Sequence, residues 1–508
     1  MFDAMISGTN PGFYHFMNLL YHCLACITFL WLLRVIGIRP ELALAGALVF
    51  AVHPLVASAA FWIPARNDLL VTLFGLLFMT NGILWLKEKK LFNFIVAILA
   101  FTVALFSKES GVLLPLLLGL YLVLNRSLKP EKEIFMMAGG IGLVIIGWYA
   151  LRATAITMHG SWQIGGWAIL ENFPFPLEII AQFFLPVNFL AVTPVYSSTC
   201  TGLGVLTVII LLATFFMRKE KSSWLFVFGF LWYIAFSLPN MFVRLDTAHA
   251  SYDYLVHRSY FPLTGFIIAL LSLIPINWLT HKRRLTLILF GLLLSVLAGS
   301  SVILGTRYRN AETFWNSAIT YNPNRAWFHH FLGRYYFKNN DFKAFEQHTR
   351  KALLLDRSPH FLYNLGMIYF LEKKSYDSAF LLFNEARATG FTDPEANKNY
   401  FNLCMESARM FFGNGDYVKA VERCKIATDL EPENSVAAFN MGLFLMYAGE
   451  IKGAAAWWRR SAELDPEMKE TYRNLYYYYL NNTTMKDSTE YFATEYRRRG
   501  GVLELPAN

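Results

Sequence analysis

The sequence predicts an all-α protein in two parts: a polytopic membrane helix bundle of about ten spans over residues 1–305, then a soluble α-solenoid of helical repeats over 306–508. Three observations carry this expectation. The 508-residue chain is 55% hydrophobic and holds 45 Phe, too apolar for a soluble protein of its length. Between Tyr14 and Gly305 the apolar excess falls in blocks of about 16 to 24 residues, the length that crosses a hydrocarbon core of roughly 30 Å. After Thr306 the blocks cease, charged residues become frequent, and small residues recur every 34 positions.

The expected crossings lie near 15–37, 40–53, 68–86, 91–106, 110–124, 133–151, 201–217, 223–242, 259–279 and 285–304. Under this order the basic clusters KEKK (87–90), NRSLKPEKE (125–133), MRKEK (217–221) and HKRR (281–284) all fall on one side. Short loops rich in Lys and Arg mark the cytoplasmic face. The opposite face then receives the N-terminus, HPLVASAAFWIPARND (53–68), SKES (107–110), RLDTAHASYDYLVHR (244–258) and the repeats. The stretch FPLEIIAQFFLPVNFLAVTPVY (175–196) is apolar enough to cross, but Pro176, Pro186 and Pro194 each remove a backbone donor or kink a helix. It is expected to lie in the outer interface or dip into the bundle.

The formal charge of +9 is spread through these topology signals, so it does not indicate nucleic-acid binding. Five cysteines without metal-ligand spacing suggest neither a disulfide framework nor a zinc site; the sequence identifies no cofactor and leaves a divalent-cation requirement open. The first apolar block is full-length and followed by others, so no cleavable signal peptide is expected.

In the soluble part, Ala408 and Gly442, Ala420 and Ala454, and Pro432 and Pro466 are each 34 apart. NMGLFLMYAGEIKGAAAWWRRSAELDPE resembles the tetratricopeptide (TPR) pattern, with Gly442, Ala454, Trp458 and Pro466 in its key positions. Small residues let two helices of a hairpin approach while aromatics fill the gaps. About four units are expected, with a half repeat at FWNSAITYNPN (314–324) and a capping helix near TYRNLYYYYL.

Polar residues gather on the expected non-cytoplasmic face. NPGFYHFMNLLYH places His15, Asn18 and His22 on one helix face, which suits interhelical hydrogen bonding or substrate contact. VHPLVASAAFWIPARNDLL breaks the second span at Pro54 and returns through Arg66 and Asp68, which could form an interfacial ion pair at a helix start. Lys108 and Glu109 stand at the rim of a tight hairpin, where Lys108 could also be a snorkelling anchor. Arg258 could equally pair with Asp253 or a lipid headgroup.

These segments, together with SKESGVLLPLL, LPN (238–240) and HRSYFPLTG (257–265) and the repeats that follow, resemble the transmembrane and TPR-containing O-mannosyltransferases and their prokaryotic relatives. Those belong to the GT-C superfamily of polyprenyl-phosphate-sugar glycosyltransferases. The resemblance covers nearly the whole chain. It implies transfer of a sugar from a polyprenyl-phosphate donor, held in the membrane lipid, to a protein Ser/Thr hydroxyl presented by the TPR arm on the non-cytoplasmic side. It also implies that Lys108 and Arg258 hold the donor phosphate, with His53, Arg66, Glu109 and His15 in support. The family's catalytic acid lies in a first external loop upstream of the NP…YH motif, whereas Asp3 of this chain aligns only with that loop's end. A longer native protein or a truncated paralogue would account for this. Among the carboxylates present, Asp68 is the candidate base. A membrane-anchored TPR scaffold and a lipid-linked oligosaccharide ligase are the other expectations. The C-terminal VLELPAN lacks an ER-retention signal, which favours a prokaryotic plasma membrane.

Overall fold

A computed structural model describes residues 5, 8, 10–126, 132–155, 166–185, 192, 194–217, 223–242, 254–275, 283–481 and 486–503. Among the described residues every regular element is a helix. The chain divides into two compact units, Met1–Phe328 and His329–Asn508, and the division falls within the helix Ala326–Lys338.

In the first unit, prolines set where helices begin. Pro11, Pro40, Pro54 and Pro174 each occupy the first turn of a helix, where a missing N–H costs nothing. Pro54 also bends the chain by 52° between Pro40–Val52 and Pro54–Phe61, with His53 as the joint. The helices pack on a core of fully buried Phe29, Phe50, Phe78, Phe101, Trp232 and Tyr260.

Among the described residues seven helices are long and apolar enough to cross a membrane: Pro11–Val35, Ile63–Glu88, Lys132–Ala155, Ser198–Met217, Trp224–Met241, Val256–Leu273 and Arg284–Arg307. The bent pair Pro40–Val52 and Pro54–Phe61 would make an eighth. Full-length spans among the described residues are thus fewer than the expected ten. Leu91–Ser107 and Glu109–Leu124 are apolar helices that fall short of a full span, because the chain breaks at Lys108. The proline-rich stretch forms the 11-residue helix Pro174–Phe184, too short to span, with Phe175, Glu178, Ile179, Ile180 and Gln182 buried in the bundle. Residues 186–191 and 193 of that stretch lie outside the described residues.

The bundle's two ends are distinct. At one end Lys87 Nζ donates to Val35 O (2.6 Å), Lys89 pairs with Glu133 (2.9 Å), and Trp85 Nε1 donates to Glu133 O (3.1 Å). KEKK therefore shares an end with the start of the helix Lys132–Ala155. Asp68 precedes Lys87 on the same helix by 19 residues, about 28 Å at 1.5 Å per residue. The Asp68 end is thus separated from the basic end by roughly a bilayer's apolar thickness. The clusters at 217–221 and 281–284 lie largely outside the described residues.

The second unit is a run of helix pairs: Ala326–Lys338 with Phe342–Leu355, Pro359–Leu371 with Tyr376–Ala388, Pro394–Gly413 with Tyr417–Leu430, Ser435–Tyr447 with Ile451–Leu464, and Lys469–Leu480 with Lys486–Arg498. Among the described residues there are five pairs where about four and a cap were expected, since the TYRNLYYYYL helix has a partner of its own. Ala408, Ala420 and Ala454 are fully buried between helices, as the 34-residue spacing requires.

Acid should loosen the first repeats. His330 is buried, accepts a hydrogen bond from Asn364 Nδ2 (2.9 Å), and is held down to about 3 by burial, with the charges of Arg334 and His360 adding to it. The unfolded chain takes up this proton near pH 6.5 and the folded chain does not, so stability falls as pH drops through that window, by about 1.4 kcal/mol per unit. The carboxylate Glu346, held low chiefly by its bond from Lys373, adds to the slope only as pH approaches the ordinary glutamate value of 4.5. Chemical denaturation of the repeats at pH 7, 6 and 5 checks it, and His330→Gln should flatten the slope.

Candidate functional site

Four charged or titratable side chains from three segments meet at the end of the bundle opposite KEKK. Asp68 lies in the first turn of the helix Arg66–Glu88, where the exposed N–H groups favour a carboxylate. Its Oδ1 accepts from Lys108 Nζ at 2.5 Å, and its Oδ2 stands 3.8 Å from His257 Nε2. The charge of Arg258 also acts on this carboxylate.

Each segment has a local reason for its course. Lys108 is extended (φ −158°, ψ 138°) because the helix Leu91–Ser107 ends there and a short 3-10 turn, Glu109–Leu113, follows. Gly111 permits the tight return: a Cβ there would stand 3.0 Å from the backbone of Ala104 and Leu105. His257 and Arg258 sit in a second 3-10 turn, Val256–Ser259, that opens the helix Tyr260–Leu273 and packs on Pro54–Phe61. Trp62 meets the His257 ring edge-on at 4.6 Å.

Asp68 is almost fully buried, while the Lys108 side chain keeps 19% of its surface. Lys108 and Arg258 both act on the Asp68 carboxylate, and the Lys108 ammonium keeps an open side. Such a group can take an anion: Arg as a two-pronged donor, Lys as a point charge. Beside it an open pocket is lined by Ser58, Trp62, Tyr254, His257 and Tyr308. Among the described residues no three His, Cys, Asp or Glu side chains gather to hold a metal.

The structure thus brings together Asp68, Lys108 and Arg258 of the expected residues and places the others elsewhere. Arg66 donates to Asn18 Oδ1 and to Tyr14 O, both at 2.9 Å, and lies over the Tyr14 ring. The partner that Asp68 takes is Lys108. Glu109 is exposed and pairs with Arg152 at 2.8 Å. His53 is buried at the helix joint, where Nδ1 accepts from Leu55 N (3.3 Å) and Nε2 meets Phe183 O (3.1 Å), and its ring stacks on Phe183. His15 is half-buried on Pro11–Val35. On the same helix Asn18 and His22 bind across helices, His22 to Tyr260 OH (2.7 Å) and Ala51 O (3.0 Å). Asp3 and Asp253 lie outside the described residues.

Sequence reasoning missed His257, Trp62, and a buried group behind the pocket formed by Glu178, Gln182 and Tyr254. Signals existed: His257 directly precedes Arg258, and Glu178 and Gln182 are an i, i+4 polar pair inside an apolar run.

No family model and no curated protein matches this chain. Among solved structures the chain is similar to YrrB, a TPR protein with an unusual peptide-binding site, at 19% identity over 36% of this chain and 90% of that one, with a TM-score of 0.28. A MamA structure is similar at 18% identity over 31% and 81%, with a TM-score of 0.25. The pilF protein of Pseudomonas aeruginosa is similar at 20% identity over 36% and 80%, with a TM-score of 0.26. The helical-repeat assignment of this chain stands on its own helix pairs and their spacing.

Proposed function

We propose that the chain is an integral-membrane glycosyltransferase that moves a sugar from a polyprenyl-phosphate donor to a protein Ser/Thr hydroxyl on the non-cytoplasmic face. The observation that carries this reading is the meeting of Lys108, Arg258 and Asp68, which are up to 190 residues apart in sequence, at one end of the bundle. A lipid phosphate sits at headgroup level, where such cations are reachable. Holding the departing phosphate is the larger share of the chemistry.

In the transfer, the acceptor oxygen forms a bond to the anomeric carbon as the bond from that carbon to the phosphate oxygen breaks. The electron pair leaves on the phosphate, which Lys108 and Arg258 receive. The hydroxyl proton goes to Asp68, which is relieved of Lys108 when the phosphate takes that cation. The TPR unit would present the polypeptide acceptor, in the way that a peptide-binding site suggests for YrrB. Leu91–Ser107 and Glu109–Leu124 cross together or not at all, so the sidedness of the basic loops is unchanged either way. With the bent pair they complete ten crossings in a prokaryotic plasma membrane, the TPR unit outside.

The test is label transfer from a radiolabelled polyprenyl-phosphate sugar to protein, with the full chain in nanodiscs. Arg258→Ala and Lys108→Ala should each cut it by about 100-fold or more. Wild-type rates in both variants would reject the assignment. Binding of peptides to the repeats with no transfer by the wild type would favour a membrane-anchored scaffold instead.

A further inference from the structure

Behind the pocket lies a polar group that the transfer chemistry does not use. Glu178 is fully buried on the helix Pro174–Phe184. Its Oε1 accepts from Ser197 N at 2.6 Å and from Thr201 Oγ1 at 3.0 Å, at the start of the helix Ser198–Met217. Its Oε2 accepts from Tyr254 OH at 2.9 Å. Gln182, one turn along, donates to the same phenol oxygen at 2.6 Å. The Tyr254 ring is also clamped, stacked on Tyr196 at 5.2 Å and met edge-on by Phe175 at 5.6 Å.

A carboxylate taken out of water is costly, and an apolar side chain could fill the same space. What Glu178 adds is a fixed point for the phenol. Tyr254 lies three residues before His257 and four before Arg258, in the extended lead-in to the turn Val256–Ser259. Where Tyr254 is held determines where that turn starts, and so how His257 and Arg258 stand against Asp68 and Lys108.

We propose that Glu178 is a positioning residue for the anion site, acting through Tyr254 to set Arg258 and His257 in place. This rests on the anion-binding reading of the Lys108–Arg258 cluster. It adds a residue that touches neither the anion nor the acceptor. If Glu178 works through Arg258, its effect must vanish once Arg258 is gone, whereas a general packing role would persist.

The experiment measures binding of a radiolabelled polyprenyl phosphate, and of the matching polyprenol, to the full chain in zwitterionic nanodiscs. Wild type should prefer the phosphate. Glu178→Gln should weaken that binding by about 10-fold, and by less than twofold in an Arg258→Ala background. Tyr254→Phe removes a single hydroxyl and should reproduce both results, which keeps the test open if Glu178→Gln fails to fold. Thermal unfolding of each variant checks that the bundle is intact. Equal losses in both backgrounds, or no loss in the wild-type background, would overturn the positioning role while leaving the anion site standing. Equal binding of phosphate and polyprenol by wild type would overturn the anion site itself.

Discussion

Lys108→Met is expected to lower the stability of the membrane unit by about 3 kcal/mol, and the double variant Asp68→Asn/Lys108→Met to recover most of that loss. Asp68 is 5% exposed, and Lys108 donates to it directly at 2.5 Å. Removing Lys108 alone leaves a buried carboxylate without its direct hydrogen-bonded cation, facing only the charge of Arg258 and the ring of His257, the more expensive half of the pair. Removing both charges leaves neutral groups of similar shape and little net cost. The opposite pattern is expected for transfer: single and double variants should both be inactive, because the phosphate loses a cation in each. Unfolding in detergent, followed beside the transfer assay, separates the two effects. A double variant no more stable than Lys108→Met would mean that the pair contributes nothing beyond side-chain packing.

The second large effect lies in the repeats. Trp458→Ala should cost about 3–5 kcal/mol, the range for emptying a buried aromatic site. Trp458 is 2% exposed, and its Nε1 donates to Phe439 O at 3.2 Å, so truncation leaves a cavity and removes a hydrogen bond across the helix pair. It lies directly on Gly442, where an added Cβ would come within 2.5 Å of the indole. Gly442→Ala overpacks the same contact and should cost about 1–3 kcal/mol. Hydrogen exchange across Ser435–Leu464 in the full chain checks both: protection should fall in each variant, further in Trp458→Ala. Unchanged protection in Trp458→Ala would show that the two helices are held by other contacts.

The helices of the bundle were legible because apolar blocks in this sequence are separated by charge or proline. What the blocks could not show is which of them make helices long enough to cross alone. The break at Pro54 and the hairpin at Lys108 lie where the sequence places them, and the helices Pro40–Val52, Leu91–Ser107 and Glu109–Leu124 keep nearly the expected bounds, but each is shorter than a full span. The last repeat pair was missed because Lys486–Arg498 is largely polar, so its apolar stripe is thin.

The site was half legible. Charges set in apolar surroundings drew attention to Asp68, Lys108 and Arg258, but proximity in sequence suggested Arg66 as the partner of Asp68. Residues two apart on a helix point to nearly opposite sides. Arg66 accordingly reaches Asn18 and Tyr14, while Asp68 turns to a lysine 40 residues away. Glu178 was read as part of an interfacial stretch, and its role depends on Tyr254, which comes 76 residues later.

A donor carried on the outer leaflet can reach Lys108 and Arg258 only if their end of the bundle faces away from the basic loops. Impermeant thiol labelling of intact cells tests this directly, with Glu109→Cys and Lys90→Cys placed in a chain whose exposed and half-exposed cysteines, Cys23 and Cys26, are replaced. Both test positions are well exposed, at 64% for Glu109 and 70% for Lys90. Cysteine at 109 should label from outside and cysteine at 90 only after permeabilisation. Labelling of position 90 from outside, with 109 protected, would contradict the proposed orientation and the donor chemistry that depends on it.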